Sequence, residues 1–437
     1  MQKNTLIITL LYSLIIACSC SKAKDKPQTP PVGPPAGGSV GLVNMAHLTH
    51  LTVPVTFPSG NLAAGIYIYS NAPDYTPAYA TGEGFTCLDD VSRAALVYLR
   101  NPNFSTDTAI QAKAFGLLRF ITNMQSANGY FYNFLQTGNV INTSGATSVN
   151  QAKWWSWRAL QALAEASPRI RTINATLSAQ VELAISNLVS RVKTDLINLP
   201  QTTATQDGIV IPQWLPEGAD AGATLLLGLI PYCQTSGDVT IRQYIKKLAD
   251  GIVMMQQGDA THFPYDCFLS SGTLWHAYGS DQAHALFQTA TLLNDTMYAN
   301  RALAEVDNFY PWMLQNGFNY SFELVNVNNV LSSRNVQRYE QIAYGIRPFV
   351  SAAVDAYALT NNDKYAGIAA QLAAWFTGKN PAGIAMYDTA TGRCFDAIAT
   401  GNTVNRNAGA ESCIEALLTM QLVEKYPAVK TALNKYK

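Results

Sequence analysis

Charge is scarce in this sequence. Only 13% of its 437 residues are Asp, Glu, Lys or Arg, and the two signs balance at 29 each. A basic face for nucleic acid is not supported by such a composition. The five histidines (His47, His50, His262, His276 and His284) contain no HExxH or comparable metal spacing. His276 and His284, eight residues apart, are the nearest approach to a ligand pair, and no metal is expected. There is no GxSxG, no phosphate loop and no dinucleotide fingerprint, so no cofactor is expected either. CxxC spacing is also missing. Beyond the leader stand Cys87, Cys233, Cys267, Cys394 and Cys413, an odd number that proposes no pairing and points to buried free thiols.

Long apolar runs are lacking too. The leader "MQKNTLIITLLYSLIIACSCS" has one early lysine and an apolar stretch of about a dozen residues, too short for a comfortable membrane span. That is the pattern of a secretory signal. "LIIAC" resembles the bacterial lipobox, which implies a signal peptide over 1–17 and lipidation at Cys18, with Cys20 the alternative. A multi-chain anchor would be stable. The following "SKAKDKPQTPPVGPPAGGS" reads as an extended tether over 18–40. It carries no acidic run, so the expected location is the periplasmic side of the outer membrane, with the lipid anchor as the only membrane contact.

What is abundant is helical periodicity. Helices are expected near 86–100, 108–126, 150–167, 174–196, 219–234, 238–257, 279–297, 299–316, 337–358, 362–377, 405–424 and 427–436. Strand-like alternation is confined to 50–69 and short pieces such as 323–331. Three phrases recur at the ends of second helices: "LLRFITNMQSANGYF" (117–131), "LADGIVMMQQGDATHF" (248–263) and "VDNFYPWMLQNGF" (306–318). With less similar ends near 194 and 377, they mark a period of roughly 60 to 65 residues, which signals stacked helix pairs. First helices such as "DDVSRAALVYL" and "GADAGATLLLGLI" are apolar all round, whereas second helices such as "VELAISNLVSRVKTDL" are amphipathic. Inner helices of a closed double ring need the first pattern. The expected fold is therefore all-α, an (α/α)6 toroid over 41–437, with an open solenoid as the competing arrangement.

"GFTCLDDVSRA" at the first inner helix, "FTGKNPAG" (376–383) and "NRNAGAESCIEALL" (405–418) resemble phrases in bacterial carbohydrate-processing toroids. The chain from 80 to 437 is similar to the six-hairpin glycosidase group. The resemblance implies a carbohydrate substrate and, since most such glycosidases invert, an inverting mechanism. Lyases and epimerases share the fold, which does not fix the chemistry. A monomer is expected.

In such a ring the N-termini of all inner helices gather at one pole, a natural ligand site. The carboxylates placed there are Asp89, Asp90, Glu217, Asp220, Asp281 and Glu340. Thr86 and Asp89 have capping-box spacing, and Arg93 lies within ion-pair reach of both Asp89 and Asp90. Each of these acids alone could serve as a helix cap. Together they exceed what capping needs, and glycoside hydrolysis wants a carboxylate pair. A first-turn position favours the ionised form, which nominates Asp90 as base with Asp89 as alternative. Glu217, bracketed by Trp214 and Pro216, fits a proton donor, with Glu340 in reserve. Glu411, further along its helix, reads as structural. Trp154, Trp155, Trp214, Trp275, His276, Tyr278, Tyr339 and Arg347 are the candidate sugar-binding residues. A glycoside hydrolase is the leading function. The competing functions are a lyase using Tyr278 or Tyr339 with His276 and Arg347, and a glycan-binding lipoprotein without activity.

Overall fold

Inner and outer helices bury different shares of themselves, and that difference builds the molecule. The computed structural model describes residues 41–436; the expected signal peptide, Cys18 and the tether lie outside them. A short helix, α1 (Ala46–Leu51), precedes six helical hairpins. They pair α2 (Leu88–Leu99) with α3 (Thr108–Asn123), α4 (Trp154–Ile170) with α5 (Ala175–Asp195), and α6 (Ala219–Ser236) with α7 (Val239–Met254). They continue with α8 (Gln282–Leu293) and α9 (Thr296–Gln315), α10 (Arg347–Thr360) and α11 (Asp363–Ala373), and α12 (Ala410–Lys425) and α13 (Pro427–Leu433).

All 12 residues of α2 are buried. In the outer helix α5 burial follows Leu177, Val181, Ala184, Leu188 and Val192, a single stripe at helical spacing. Each inner helix packs on the next, and α12 packs on both α10 and α2. The inner ring is closed, so the open solenoid is excluded and the fold is an (α/α)6 toroid. Gly228 in α6 allows one close approach, since a Cβ there would stand 2.9 Å from Leu160 Cγ of α4.

The recurring glutamine at the outer-helix ends has a structural reason. Gln125 Nε2 donates to Gly129 O in its own turn and to Ala184 O of α5, at 2.9 and 2.8 Å. Gln256 Nε2 does the same with Asp266 O and with Arg301 O of α9, both at 2.9 Å. In these two copies the glutamine staples one outer helix to the next.

Two local expectations differ from the structure. The ninth ring helix begins at Arg347 rather than near 337, with Pro348 in its first turn, where proline is preorganised for a helix start. Gln341 and Ile342 instead pair with Ile398 and Ala397 in a small sheet. The strand-like segment near 323–331 becomes a longer hairpin, Ser321–Val327 with Val330–Gln337, joined to Leu274–His276. The five described cysteines are buried free thiols.

Candidate active site

The pole where the inner helices begin holds a buried network of acids and arginines. Asp89 and Asp90 open α2, and its first N–H groups are satisfied from elsewhere. Leu88 N donates to Asn133 O, Asp89 N to Asn133 Oδ1 and Asp90 N to Cys87 Sγ. Thr86 Oγ1 accepts from Ile66 N instead. The capping-box expectation for Thr86 and Asp89 is thus corrected: the pair of aspartates serves an arginine. Arg93 Nη2 donates to Asp89 Oδ2 at 2.5 Å, Asp90 Oδ1 at 2.8 Å and Glu411 Oε2 at 3.1 Å. Its Nη1 donates to Glu415 Oε1 at 3.0 Å. Arg158 Nε, from α4, stands 2.5 Å from Asp89 Oδ1.

A second fork completes the network. Arg347 donates through Nη1 and Nη2 to the two oxygens of Asp281, at 2.9 and 2.8 Å, and through Nε to Glu415 Oε2 at 2.5 Å. The bidentate geometry and the Arg347 charge hold the Asp281 carboxyl below its usual range against its burial. Five acids here face three arginines, and the imbalance shows in their protonation. Burial, reinforced by Asp89 and opposed by Arg93, pushes Asp90 up to about 7. Loss of water thus works against the ionised Asp90 expected from the helix terminus. Asp90 is also sealed, at 3% exposure.

Glu411 is the exception in the cluster. Its side chain keeps 43% exposure while Arg93, Asp90 and Glu415 keep 5% or less. Burial of its surroundings raises its carboxyl, with Arg93 opposing and Asp89 reinforcing. Glu411 is the member of the network that meets solvent at the pole. Next to it, Asp396 Oδ1 accepts from Gly409 N and Ser412 Oγ, both at 2.7 Å, and burial raises this carboxyl as well.

Across the ring, Asp220 of α6 pairs with His276. His276 Nδ1 lies 2.7 Å from Tyr278 O, a carbonyl that can only accept, so Nδ1 carries the proton. Nε2 then faces Asp220 Oδ2 at 3.4 Å. The imidazole is locked in place by Tyr278, whose ring stacks on it at 3.7 Å and 4°. Tyr278 is half-buried, and burial lifts its phenol to about 12.

The other expected residues scatter. Glu217 lies at the crater edge in a left-handed backbone conformation (φ 64°) and is ion-paired with Lys153. An ammonium partner is the opposite of the apolar setting expected for an acid. Glu340 is exposed beside half-buried Tyr339, and its charge raises Tyr320 and Asp396 in addition to their burial. Three tryptophans expected to stack on sugar belong to the core instead. Trp155 Nε1 is tied to Phe131 O, Trp214 Nε1 to Lys247 O, and Trp275 stacks on Phe322 at 4.9 Å. Trp154 alone among the four is exposed, with Arg158 under its ring at 6.0 Å. Sequence reasoning missed Arg158, Tyr344, Glu415 and Asp396 and set Glu411 aside. Position in the first turn of an inner helix was the usable signal for Glu411.

Comparison with known proteins adds the following. No family model matches this sequence, and no curated protein is significantly similar to it. Solved structures do match. A cellobiose 2-epimerase from Spirochaeta thermophila superposes with a TM-score of 0.58 at 12% identity, covering 90% of this chain and 95% of its own. A D-mannose isomerase gives 0.56 at 13% identity, over 89% and 95% of the two chains. A GH76 α-mannanase from Bacteroides thetaiotaomicron gives 0.50 at 12% identity, over 79% and 87%. Identities this low establish a common architecture and no more: the chain has an (α/α)6 toroid fold.

Proposed function

We propose that the chain is a glycoside hydrolase acting at this pole, with Glu411 as proton donor and Asp220, steadied by His276, activating water. The observation that carries the reading is the placement of these two acids on α12 and α6, opposite members of a closed six-helix ring. Neighbouring axes about 8–10 Å apart put opposite axes about 16–20 Å apart. Side chains reach about 5–6 Å inward from each axis, leaving on the order of 5–10 Å between opposed carboxyl groups. Inverting glycosidases need about 6.5–9.5 Å. Its buried surroundings and the neighbouring acids raise the Glu411 carboxyl against Arg93, the direction a donor needs. Trp154 at the rim supports a carbohydrate ligand.

A second reading, a sugar epimerase or isomerase, is favoured by His276. With Nδ1 held by Tyr278 O, Nε2 is the nitrogen left to exchange a proton, and an imidazole fixed in this way, when not donating to Asp220, suits abstraction of a proton from a sugar carbon. Two of the similar structures are named for such reactions. The test is a glycan panel incubated in heavy-oxygen water, with products followed by mass spectrometry. Hydrolysis adds one labelled oxygen and splits the glycan. Epimerisation leaves the mass unchanged, and a lyase yields an ultraviolet-absorbing unsaturated ring. Binding without any product leaves a glycan-binding protein.

A further inference from the structure

Four of the six inner segments meet on one side chain. Tyr344 lies in the short turn Ala343–Gly345 before α10. The guanidinium carbons of Arg158, Arg93 and Arg347, from α4, α2 and α10, stand 4.7, 5.2 and 5.8 Å from its ring centroid. Its hydroxyl fills the space at Gly279, in the connection to α8, where a Cβ would come within 2.5 Å of the phenol oxygen. Gly279 also has φ 66°, a second reason for glycine at this point. A group touched from four arcs of a closed ring stands on the ring axis.

Below Tyr344 the network is sealed: Glu415 and Asp281 are 0% and 2% exposed. On the pole side Tyr344 itself stays half-buried and Glu411 reaches solvent. Tyr344 is therefore the floor of the crater. Three guanidinium groups fix its ring, and its oxygen accepts from Arg158 Nη2. A phenol that accepts still has its own proton to give, and among the described residues no hydrogen bond takes it up.

We infer that Tyr344 is a ligand-binding residue that donates its hydroxyl proton to an uncharged sugar ring seated on the crater floor. The inference rests on the glycan reading above and names the class of sugar. Each floor guanidinium is already engaged by protein acids, Arg93 by four, Arg347 by Asp281 and Glu415, and Arg158 by Asp89. A uronate carboxylate finds no spare cation on that floor, and Asp220 would repel it.

Binding of neutral methyl pyranosides and of glucuronate to the full chain, measured by titration with saturation-transfer NMR, tests this. A neutral pyranoside should bind and glucuronate should not. Tyr344→Phe should weaken the bound pyranoside about three- to tenfold, the loss of one neutral hydrogen bond, in a chain that still melts cooperatively but somewhat earlier for want of the Arg158 contact. Gly279→Ala should weaken it similarly by displacing the hydroxyl, and it serves as the check if Tyr344→Phe misfolds. Parental affinity in both variants, or a preference for glucuronate, overturns the assignment of Tyr344 while leaving a glycan site. Absence of binding by every sugar in the parent chain overturns the glycan reading with it.

Discussion

Arg93 Nη1 donates to Glu415 Oε1 at 3.0 Å across a gap of 322 residues, joining the first inner helix to the last. The pair is buried on both sides, with side-chain exposures of 3% and 0%. Removing one member of a buried pair strands the other charge, at a cost of about 3–5 kcal/mol. Arg93→Ala would strand Asp90 and leave Asp89 and Glu415 with one arginine each, Arg158 and Arg347, so its thermal melt should fall sharply. Arg93→Lys should recover only part of the loss, because one ammonium cannot reproduce the guanidinium fork. A parental melting temperature for Arg93→Ala would show that the ring closes without this pair.

Glu305 of α9 makes a second, separate prediction. It is 3% exposed, accepts from Phe268 N at 2.8 Å and Tyr310 Oη at 3.3 Å, and burial pushes it up to about 8. In the unfolded chain a glutamate titrates near about 4.3. Between those values the folded state keeps a proton that the unfolded state has lost, so stability declines as pH rises. The contribution is complete below the unfolded value and gone above about 8. Glu305→Gln retains an acceptor for Phe268 N without the titration. Its melting temperature should vary less than the parent's from about pH 5 to pH 9. Identical slopes would sink the idea.

The helix pairs were legible because burial writes a period into the chain: α5 shows its stripe and α2 its uniform apolarity without any knowledge of neighbours. The start of α10 was not, since the pairing of Gln341 with Ile398 joins residues 57 apart and leaves no local mark. At the site, Asp89, Asp90, Asp281 and Arg347 were found from their place at helix starts. The tryptophans failed for a related reason. Whether an indole meets solvent or, like Trp275, the ring of Phe322 depends on a strand from a later hairpin. Tyr344 carried no signal, because its role arises from four segments converging on it.

The resemblance of "LIIAC" to a lipobox makes a prediction independent of the ring. Cys18→Ala with Cys20 intact should move the protein from the membrane fraction to the soluble fraction on cell fractionation. Continued membrane association would shift the anchor elsewhere, with Cys20 the first place to look.

The roles of Glu411 and Asp220 can be separated by kinetics. Glu411→Gln and Asp220→Asn should each lower turnover at least about 10²-fold, the lower end of what acid–base catalysis supplies. A nitrophenyl leaving group needs little protonation, so it should partly rescue Glu411→Gln and leave Asp220→Asn impaired. Because Glu411 must be protonated to act and its carboxyl is raised, activity should fall as pH climbs through its pKa. Glu411→Gln should lose that alkaline limb. Asp90 supplies the contrast: it is buried and engaged by Arg93, so Asp90→Asn should disturb the melt more than the leaving-group dependence. Should His276→Ala abolish turnover while Glu411→Gln and Asp220→Asn keep it, the paired-carboxylate mechanism gives way to proton abstraction by the imidazole.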